Sequence, residues 1–254
     1  IEFGQQSLTI ARAHGFDQEE AFTLNDLGRA YHEMGDPEHA LQVMLEARNL
    51  WVQMDNKPML IDNYISTSMT YYTSGNLKGC LETANNAIEM SEEIGNRWGH
   101  TSALSAPIMP HLDMGEIERA IDNGLRTMDI LGQMDIGRFE LAIRAIMGWC
   151  FGTVGQLDEG LDFLNTDMLE TGEGTEFFSF INTVGAYLNL LNGDPDGAND
   201  YIMAAFGNLD LDDLKPTLGV YFGAFTFLPA IVIGQVLCNL GLYVMLGDFT
   251  DSSR

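Results

Sequence analysis

The sequence has few positive charges. It contains 12 Lys and Arg residues against 37 Asp and Glu residues, a formal net charge of −25. Each contact with a nucleic-acid phosphate needs a cation, so this composition excludes a general role in binding nucleic acid. It also argues against binding to an anionic membrane surface. Two explanations of the acidity stay open: adaptation to a high-salt cytoplasm, where counterions screen the repulsion, and an ordinary acidic bacterial protein.

Cysteine is scarce as well. Cys80, Cys150 and Cys238 are widely spaced, and no C-x-x-C pair occurs. This pattern excludes a zinc knuckle and a disulfide framework. It predicts buried thiols in a reducing compartment, and therefore a cytoplasmic protein.

Sequence motifs of catalysis are missing too. The chain has no G-x-S-x-G, no glycine-rich phosphate loop and no H-E-x-x-H, and its five histidines lack the spacing of a metal site. We therefore expect a protein that is not an enzyme and that holds neither a cofactor nor a metal.

One six-residue motif recurs along the chain. It reads GDPEHA, GNLKGC, GEIERA, GQLDEG, GDPDGA and finally GDFTDS. The glycines that begin it are Gly35, Gly75, Gly115, Gly155, Gly193 and Gly247. The first four are 40 residues apart, the next interval is 38 and the last is 54. Such near-constant spacing indicates an internal repeat.

Each motif has the chemistry of a turn between two helices. Glycine ends a helix in the left-handed conformation, and the polar residue after it caps the next helix, best as Asp or Asn. Pro37 and Pro195 stand where a first helical residue needs no N–H group. The sixth residue of each motif is small, which lets two helices approach closely. These small residues are Ala40, Cys80, Ala120, Gly160 and Ala198.

The segments around the turns have helical periodicity. Apolar residues such as Leu24, Leu27 and Tyr31 before the first turn, and Met44 and Ala47 after it, recur at three-to-four spacing. The pattern predicts an all-α, right-handed superhelical solenoid of antiparallel helix hairpins, with about five to six repeats. We expect one array over residues 1–254, truncated at both ends because no polar capping helix is recognisable there.

These repeats resemble the tetratricopeptide repeat (TPR) family. The first unit carries residues at that family's signature spacings, namely Leu27, Gly28, Tyr31, Gly35, Ala40 and Ala47. Later units keep only part of the pattern. The unit is nearer 40 residues than the family's usual length of about 34, and the family's early Trp and terminal Pro are missing. The longer unit is similar to repeat arrays that follow ATPase, cyclase or LuxR-type regulator modules in bacteria.

In a fold of this family, the first helix of each hairpin lines a concave groove. The groove-facing position six residues before each turn glycine holds Arg29, Met69, Met109, Trp149 and Tyr187. Flexible Met and planar aromatic side chains suit adaptable contacts with peptides. Tyr72, Asn25 and Glu33 would add polar anchors. Two other interpretations stay open: this face packs on a terminal helix of the same protein, or the assigned register is wrong by one residue.

The resemblance and these groove positions favour a non-enzymatic scaffold that binds a peptide or a neighbouring domain of the same parent chain. The alternative is the ligand-sensing or regulatory arm of a larger bacterial signalling ATPase, cyclase or LuxR-type transcription regulator. Both need the same scaffold, and the sequence does not distinguish them.

Two further segments depart from the repeat. Pro107 and Pro110 lie inside an expected first helix, which should be kinked or should begin at Pro107, with open space near Met109 and His111. Residues 216–247 carry no charge and are long enough to span a bilayer. Their acidic flanks and internal proline favour a buried pair of helices over a membrane span.

Overall fold

The computed structural model describes residues 1–134, 137–164 and 176–206. Over these residues the regular secondary structure is helical, without a strand. The chain divides into two compact units, residues 1–135 and 136–254. The all-α prediction is confirmed, and the prediction of one continuous array over 1–254 stays a prediction. The last turn glycine, Gly247, the uncharged segment 216–247 and Cys238 lie outside the described residues.

The first unit is a succession of helices, four of which have the same length. These are α1 (Glu2–His14), α2 (Asp17–Glu33), α3 (Pro37–Gln53), α4 (Lys57–Thr73), α5 (Leu77–Glu93), α6 (Arg97–Ser105), α7 (Ile108–Asp113) and α8 (Ile117–Leu131). Helices α2 to α5 each have 17 residues. Helix α2 packs along α3, and α4 packs along α5, as the hairpin interpretation requires.

The turns within hairpins have the predicted chemistry. Gly35 and Gly75 adopt φ values of 75° and 79°, a left-handed conformation that a side chain would strain. The carboxylate of Asp36 accepts a hydrogen bond from the N–H of His39 at 3.2 Å, and Asn76 caps α5 through the N–H of Gly79 at 2.9 Å. Pro37 is the first residue of α3, as expected.

The turns between hairpins repeat the same conformation, which the sequence analysis missed. Gly15 and Gly95 both have φ 67°, and Asp55 has φ 50°. Together with Gly35 and Gly75, they place a left-handed residue every 20 positions. The structural period is therefore one helix and one turn, half of the 40-residue sequence unit.

Small residues sit where paired helices approach. The five predicted small positions are all buried, from Ala40 to Ala198. On the facing helix, a methyl group added at Gly28 would come within 2.6 Å of the Met44 side chain. In the next hairpin, α4 and α5 are close enough for the Ser68 hydroxyl to donate to the carbonyl oxygen of Cys80 at 3.1 Å. Close packing of this kind excludes larger residues.

The core of the first unit is shared between successive hairpins. One cluster joins Leu8 of α1, Leu24 of α2, Trp51 of α3 and Leu60 of α4. Trp51 is fully buried, and the ring of Phe22 meets it edge-on at 4.9 Å. Each hairpin thus buries its apolar face against its neighbours, which is what stabilises repeat arrays.

The prolines break the third hairpin as predicted. Helix α6 ends at Ser105 and α7 begins at Ile108, so Pro107 lies in the break between them. Neither Pro107 nor Pro110 has an N–H group to continue the helical ladder. Ile108 is fully buried and fixes the second segment to the core.

The second unit contains two further hairpins among its described residues. Its helices are α9 (Gly137–Thr153), α10 (Leu157–Leu164), α11 (Glu176–Leu191) and α12 (Pro195–Phe206). The turn glycines Gly155 and Gly193 have φ 78° and 76°. A methyl group at Gly148 would lie 3.0 Å from the carbonyl oxygen of Gly160, so α9 and α10 approach closely.

Candidate functional site

The predicted groove residues lie at equivalent positions on the first helices of the hairpins. We call Arg29, Met69, Met109, Trp149 and Tyr187 the groove ladder. In the first unit it runs over α2, α4 and α7, and in the second over α9 and α11. Every ladder residue is partly exposed, as is Tyr72. The side chains are therefore accessible to a partner, and their role as a binding surface stays a prediction.

Arg29 joins two neighbouring first helices. Its guanidinium donates to the carboxylates of Asp26, at 3.2 Å, and Asp62 of α4, and to the Ser66 hydroxyl at 3.3 Å. The Arg29 and Asp62 side chains are 43% and 44% exposed, so the pair sits at the surface. Two carboxylates thus outnumber one cation here. Arg29 was predicted from the sequence as a groove residue, but its contacts with Asp26 and Asp62 were not.

Tyr72 joins α4 to α7. Its hydroxyl donates to the carboxylate of Asp113 at 2.9 Å. Burial, assisted by the charge of Asp113, raises the pKa of Tyr72 well above its ordinary value, so the phenol stays neutral. A neutral phenol that already donates one hydrogen bond can still accept one from a partner.

The second unit presents an aromatic pair. The rings of Trp149 on α9 and Tyr187 on α11 stack with centroids 4.9 Å apart and planes 22° apart. Both rings pack against Ala186 and Ala198. Sequence spacing placed the two residues on one face, and the structure brings them into direct contact.

Asn25, predicted to be a polar anchor, is instead buried. Only 3% of it is exposed, and its Oδ1 accepts a hydrogen bond from the Asn63 amide at 2.8 Å. Asn63 also donates to the carbonyl oxygen of Met44 at 2.8 Å, which fixes both amides inside the first unit. A polar residue at helical spacing can face the core when a partner satisfies it, and nothing local in the sequence indicates that.

His111, beside the break in the third hairpin, is tied to the next helix. Its Nδ1 lies 2.7 Å from a carboxylate oxygen of Glu116, and only 13% of the His111 side chain is exposed. The His111 contact and Arg119 hold the pKa of Glu116 below its ordinary value. The structure therefore places a short polar contact at His111, where open space was expected.

The described residues contain no group of three or more His, Cys, Asp or Glu side chains suited to a metal ion. Within them, no helix is both long enough and apolar enough to cross a membrane.

The fold defined by these hairpins is that of TPR-like helical repeat proteins, which confirms the resemblance at the level of fold. No protein-family model matches the sequence, and no curated protein matches it.

Solved structures of TPR-like proteins are similar to this chain. BtubC (BKLC) from P. vanneervenii has 15% identity and a TM-score of 0.68, over 80% of this chain and 87% of its own. The apo form of RapI has 16% identity and a TM-score of 0.66, over 90% of this chain and 86% of its own. A signal transduction ATPase with a tetratricopeptide repeat sensor, from Pyrococcus horikoshii, has 12% identity and a TM-score of 0.64. It matches over 92% of this chain but only 38% of its own.

Proposed function

We propose that this protein is a non-enzymatic binding module that holds a peptide or a neighbouring protein domain on the first helices of its hairpins. The observation that carries the proposal is the groove ladder: one large, partly exposed side chain at the same place in each hairpin. Met side chains in the first unit and the aromatic pair in the second can each adapt to an apolar segment.

The charges beside the groove ladder favour a partner of a particular charge. In the first unit, Asp26 and Asp62 accept hydrogen bonds from Arg29, and Asp113 accepts one from Tyr72. A partner segment there would combine apolar side chains with basic groups, because electrostatic complementarity governs selection among partners. An acidic segment would be repelled by this surface.

The first test is selection followed by mapping. A displayed library of random peptides is selected on the full chain, and binders are titrated while the methionine methyl signals are followed by NMR. We expect enrichment of basic, apolar peptides that shift the signals of Met69 and Met109. The signal of Met34, which is 71% exposed and ends α2, should stay unmoved and serves as the control. Shifts at Met34 without shifts at Met69 would contradict the proposal.

A matched pair of variants separates the groove from the rest of the surface. Met69→Gln should weaken binding of a selected peptide about tenfold, because a well-packed contact at a binding surface is worth at least 1 kcal/mol. Leu45→Gln, at a 54% exposed position on α3, makes the same kind of change outside the groove and should leave affinity unchanged. Equal affinity of both variants would contradict the proposal.

A second candidate function is the ligand-sensing or regulatory arm of a larger signalling protein, such as a bacterial ATPase, cyclase or LuxR-type regulator. The observation that favours it is the likeness to an ATPase described as carrying a TPR sensor, of which this chain matches 38%. Sugars and nucleotides are screened by thermal unfolding of the full chain. A concentration-dependent rise in unfolding temperature supports sensing, and its absence across the screen counts against it.

We further propose that this function is cytoplasmic. The support is the state of Cys80 and Cys150, both buried free thiols. Burial raises the pKa of Cys150 to about 12, so this thiol is unreactive.

A further inference from the structure

Arg48 is a half-buried cation with neutral partners. Its Nε donates to Oδ1 of Asn63 at 2.8 Å, and its Nη2 donates to the Thr67 hydroxyl at 2.8 Å. The guanidinium lies over the Tyr64 ring, 4.3 Å from the ring centroid. Across residues 1–134, 137–164 and 176–206, no carboxylate forms an ion pair with it. This is unusual in a chain of net charge −25, where Arg12, Arg29 and Arg144 are all paired with acids.

A buried network fixes the guanidinium in place. Asn63 is fully buried, and its amide group donates to Asn25 and to the carbonyl oxygen of Met44, so its Oδ1 is left for Arg48. The Thr67 hydroxyl in turn donates to the carbonyl oxygen of Asn63 at 2.7 Å. Burial lowers the pKa of Arg48, although an arginine keeps its charge in proteins. A desolvated charge ordinarily needs a counter-ion, which this network does not supply.

The Arg48 side chain lines a polar cleft with a volume of about 370 Å³. Helices α3 and α5 and the end of α4 contribute its walls. Its hydrogen-bond donors are Arg48, Tyr71, Asn76, Lys78 and Asn86. The amide oxygen of Asn76 is already used in capping α5, so its NH₂ group is the part free to donate. The one acid in the lining is Glu82, whose carboxylate lies 3.8 Å from Lys78 at the exposed rim.

We propose that this cleft binds a small anion, with a carboxylate or phosphate group of the ligand held between Arg48 and Lys78. The ligand supplies the counter-ion that Arg48 lacks in the protein. Guanidinium and ammonium donors converging on one oxyanion make strong, charge-assisted hydrogen bonds. The carboxylate of Glu82 partly neutralises Lys78 and therefore lowers the affinity of the cleft for an anion.

The cleft is separate from the groove ladder. Tyr71 lines the cleft, whereas the next residue, Tyr72, bonds to Asp113 of α7. The proposal of an anion site can therefore be tested independently of peptide binding in the groove.

The test is a titration of the full chain, ¹⁵N-labelled at arginine, with inorganic phosphate and separately with succinate. Sodium chloride keeps the ionic strength constant, and the Nε–H signal of Arg48 is followed. We expect a saturable shift with at least one of the two anions. Saturation by phosphate alone supports a phosphate-bearing ligand, and saturation by succinate alone supports a carboxylate.

Two rim variants and a charge-matched control make the test specific. Lys78 and Glu82 have side chains 87% and 67% exposed, so their substitution should leave the fold intact. Lys78→Gln should weaken binding about fivefold, and Glu82→Gln should tighten it by a similar factor, since each removes one charge beside the anion. Arg126→Gln on α8 removes the same charge outside the cleft and should match the unmodified protein.

The proposal is overturned if chloride alone produces the same shift as phosphate and succinate. It is also overturned if Lys78→Gln and Arg126→Gln bind equally well, because the effect would then be one of total charge. Arg48→Met lacks the signal that is followed, so its binding of phosphate and succinate is measured by isothermal titration calorimetry beside the unmodified protein. This variant should lose the saturable binding, and undiminished binding by it would also exclude the site.

Discussion

Asp55 is the residue at which local conformation and residue type are least well matched. Among the described residues, it alone has a positive φ, 50°, without being glycine. The left-handed conformation costs an ordinary L-residue roughly 1–2 kcal/mol, and Asp reduces that cost because its short side chain can hydrogen-bond locally. At the equivalent turns, Gly15 and Gly95 adopt the conformation without the penalty of a Cβ atom.

The free energy of unfolding of variants at Asp55 should increase with the ability of the new residue to adopt the left-handed conformation. We expect Asp55→Gly to raise the free energy of unfolding by up to about 1 kcal/mol and Asp55→Ala to lower it by about 1 kcal/mol. Urea unfolding followed by circular dichroism measures both. Asp55→Asn is the control, since it removes the charge but tolerates the same φ. An Ala variant as stable as the Asn variant would contradict the argument.

Single residues also show which structural features can be predicted from the sequence and which cannot. Gly35 and its counterparts were predictable, because a left-handed helix end strongly favours glycine. Asp55 hid the 20-residue period, because a non-glycine residue stands in one of the turns. The partners of Arg29 and Arg48 on other helices could not be predicted, because they lie 15 to 37 residues away and depend on how helices pack. The burial of Asn25 follows from the same packing.

At the scale of helices, the third hairpin shows what two prolines do to a repeat. Helix α4 runs unbroken over 17 residues, whereas α6 and α7 divide the equivalent span. Proline inside a helix removes a hydrogen bond and clashes with the preceding turn, at a cost of about 3 kcal/mol or more. The break was predictable from sequence for this reason. The contact between His111 and Glu116, which follows the break, was not predictable from sequence.

Removing both prolines should restore a continuous helix. In Pro107→Ala/Pro110→Ala, two new N–H groups complete the ladder, and we expect amide exchange at residues 106, 108 and 109 to slow about fivefold, as one net hydrogen bond of about 1 kcal/mol predicts. Pro58→Ala is the matched control, since Pro58 lies in the first turn of α4, where its missing N–H does no harm. If residues 106, 108 and 109 exchange as before, the buried Ile108 rather than proline imposes the break.

The connection between α7 and α8 should give a pH-dependent contribution to stability. The folded-state pKa of Glu116 is lowered by His111 and Arg119, so the carboxylate stabilises the fold above its unfolded pKa of about 4.3. That contribution is lost as the pH falls below this value towards the folded-state pKa. Glu116→Gln should therefore be less stable than the unmodified protein at pH 7, with the difference shrinking as the pH is lowered below about 4.3. Thermal unfolding at several pH values measures it, and a difference that does not shrink below this pH would contradict the assignment.

At the scale of the whole molecule, two electrostatic effects oppose each other. Exposed ion pairs such as Arg12–Glu46 at 2.9 Å and Lys57–Glu93 at 2.6 Å stabilise the fold, but solvent screening makes the contribution of each such pair small. The net charge of −25 destabilises the compact state through self-repulsion. Salt weakens both, so the sign of its effect on stability shows which dominates.

We expect repulsion to dominate, and stability to rise with salt. Acids outnumber bases by 37 to 12, so most carboxylates have no cation to pair with. Raising potassium chloride from about 0.1 M to about 1 M shortens the screening length from about 10 Å to about 3 Å and should raise the unfolding temperature by several degrees. Glu38→Gln and Glu89→Gln together, at exposed positions without an ion pair among the described residues, should raise the unfolding temperature at low salt and reduce its salt dependence. An unfolding temperature that falls with potassium chloride would mean that the ion pairs outweigh the repulsion, and adaptation to a high-salt cytoplasm would then lose its physical basis.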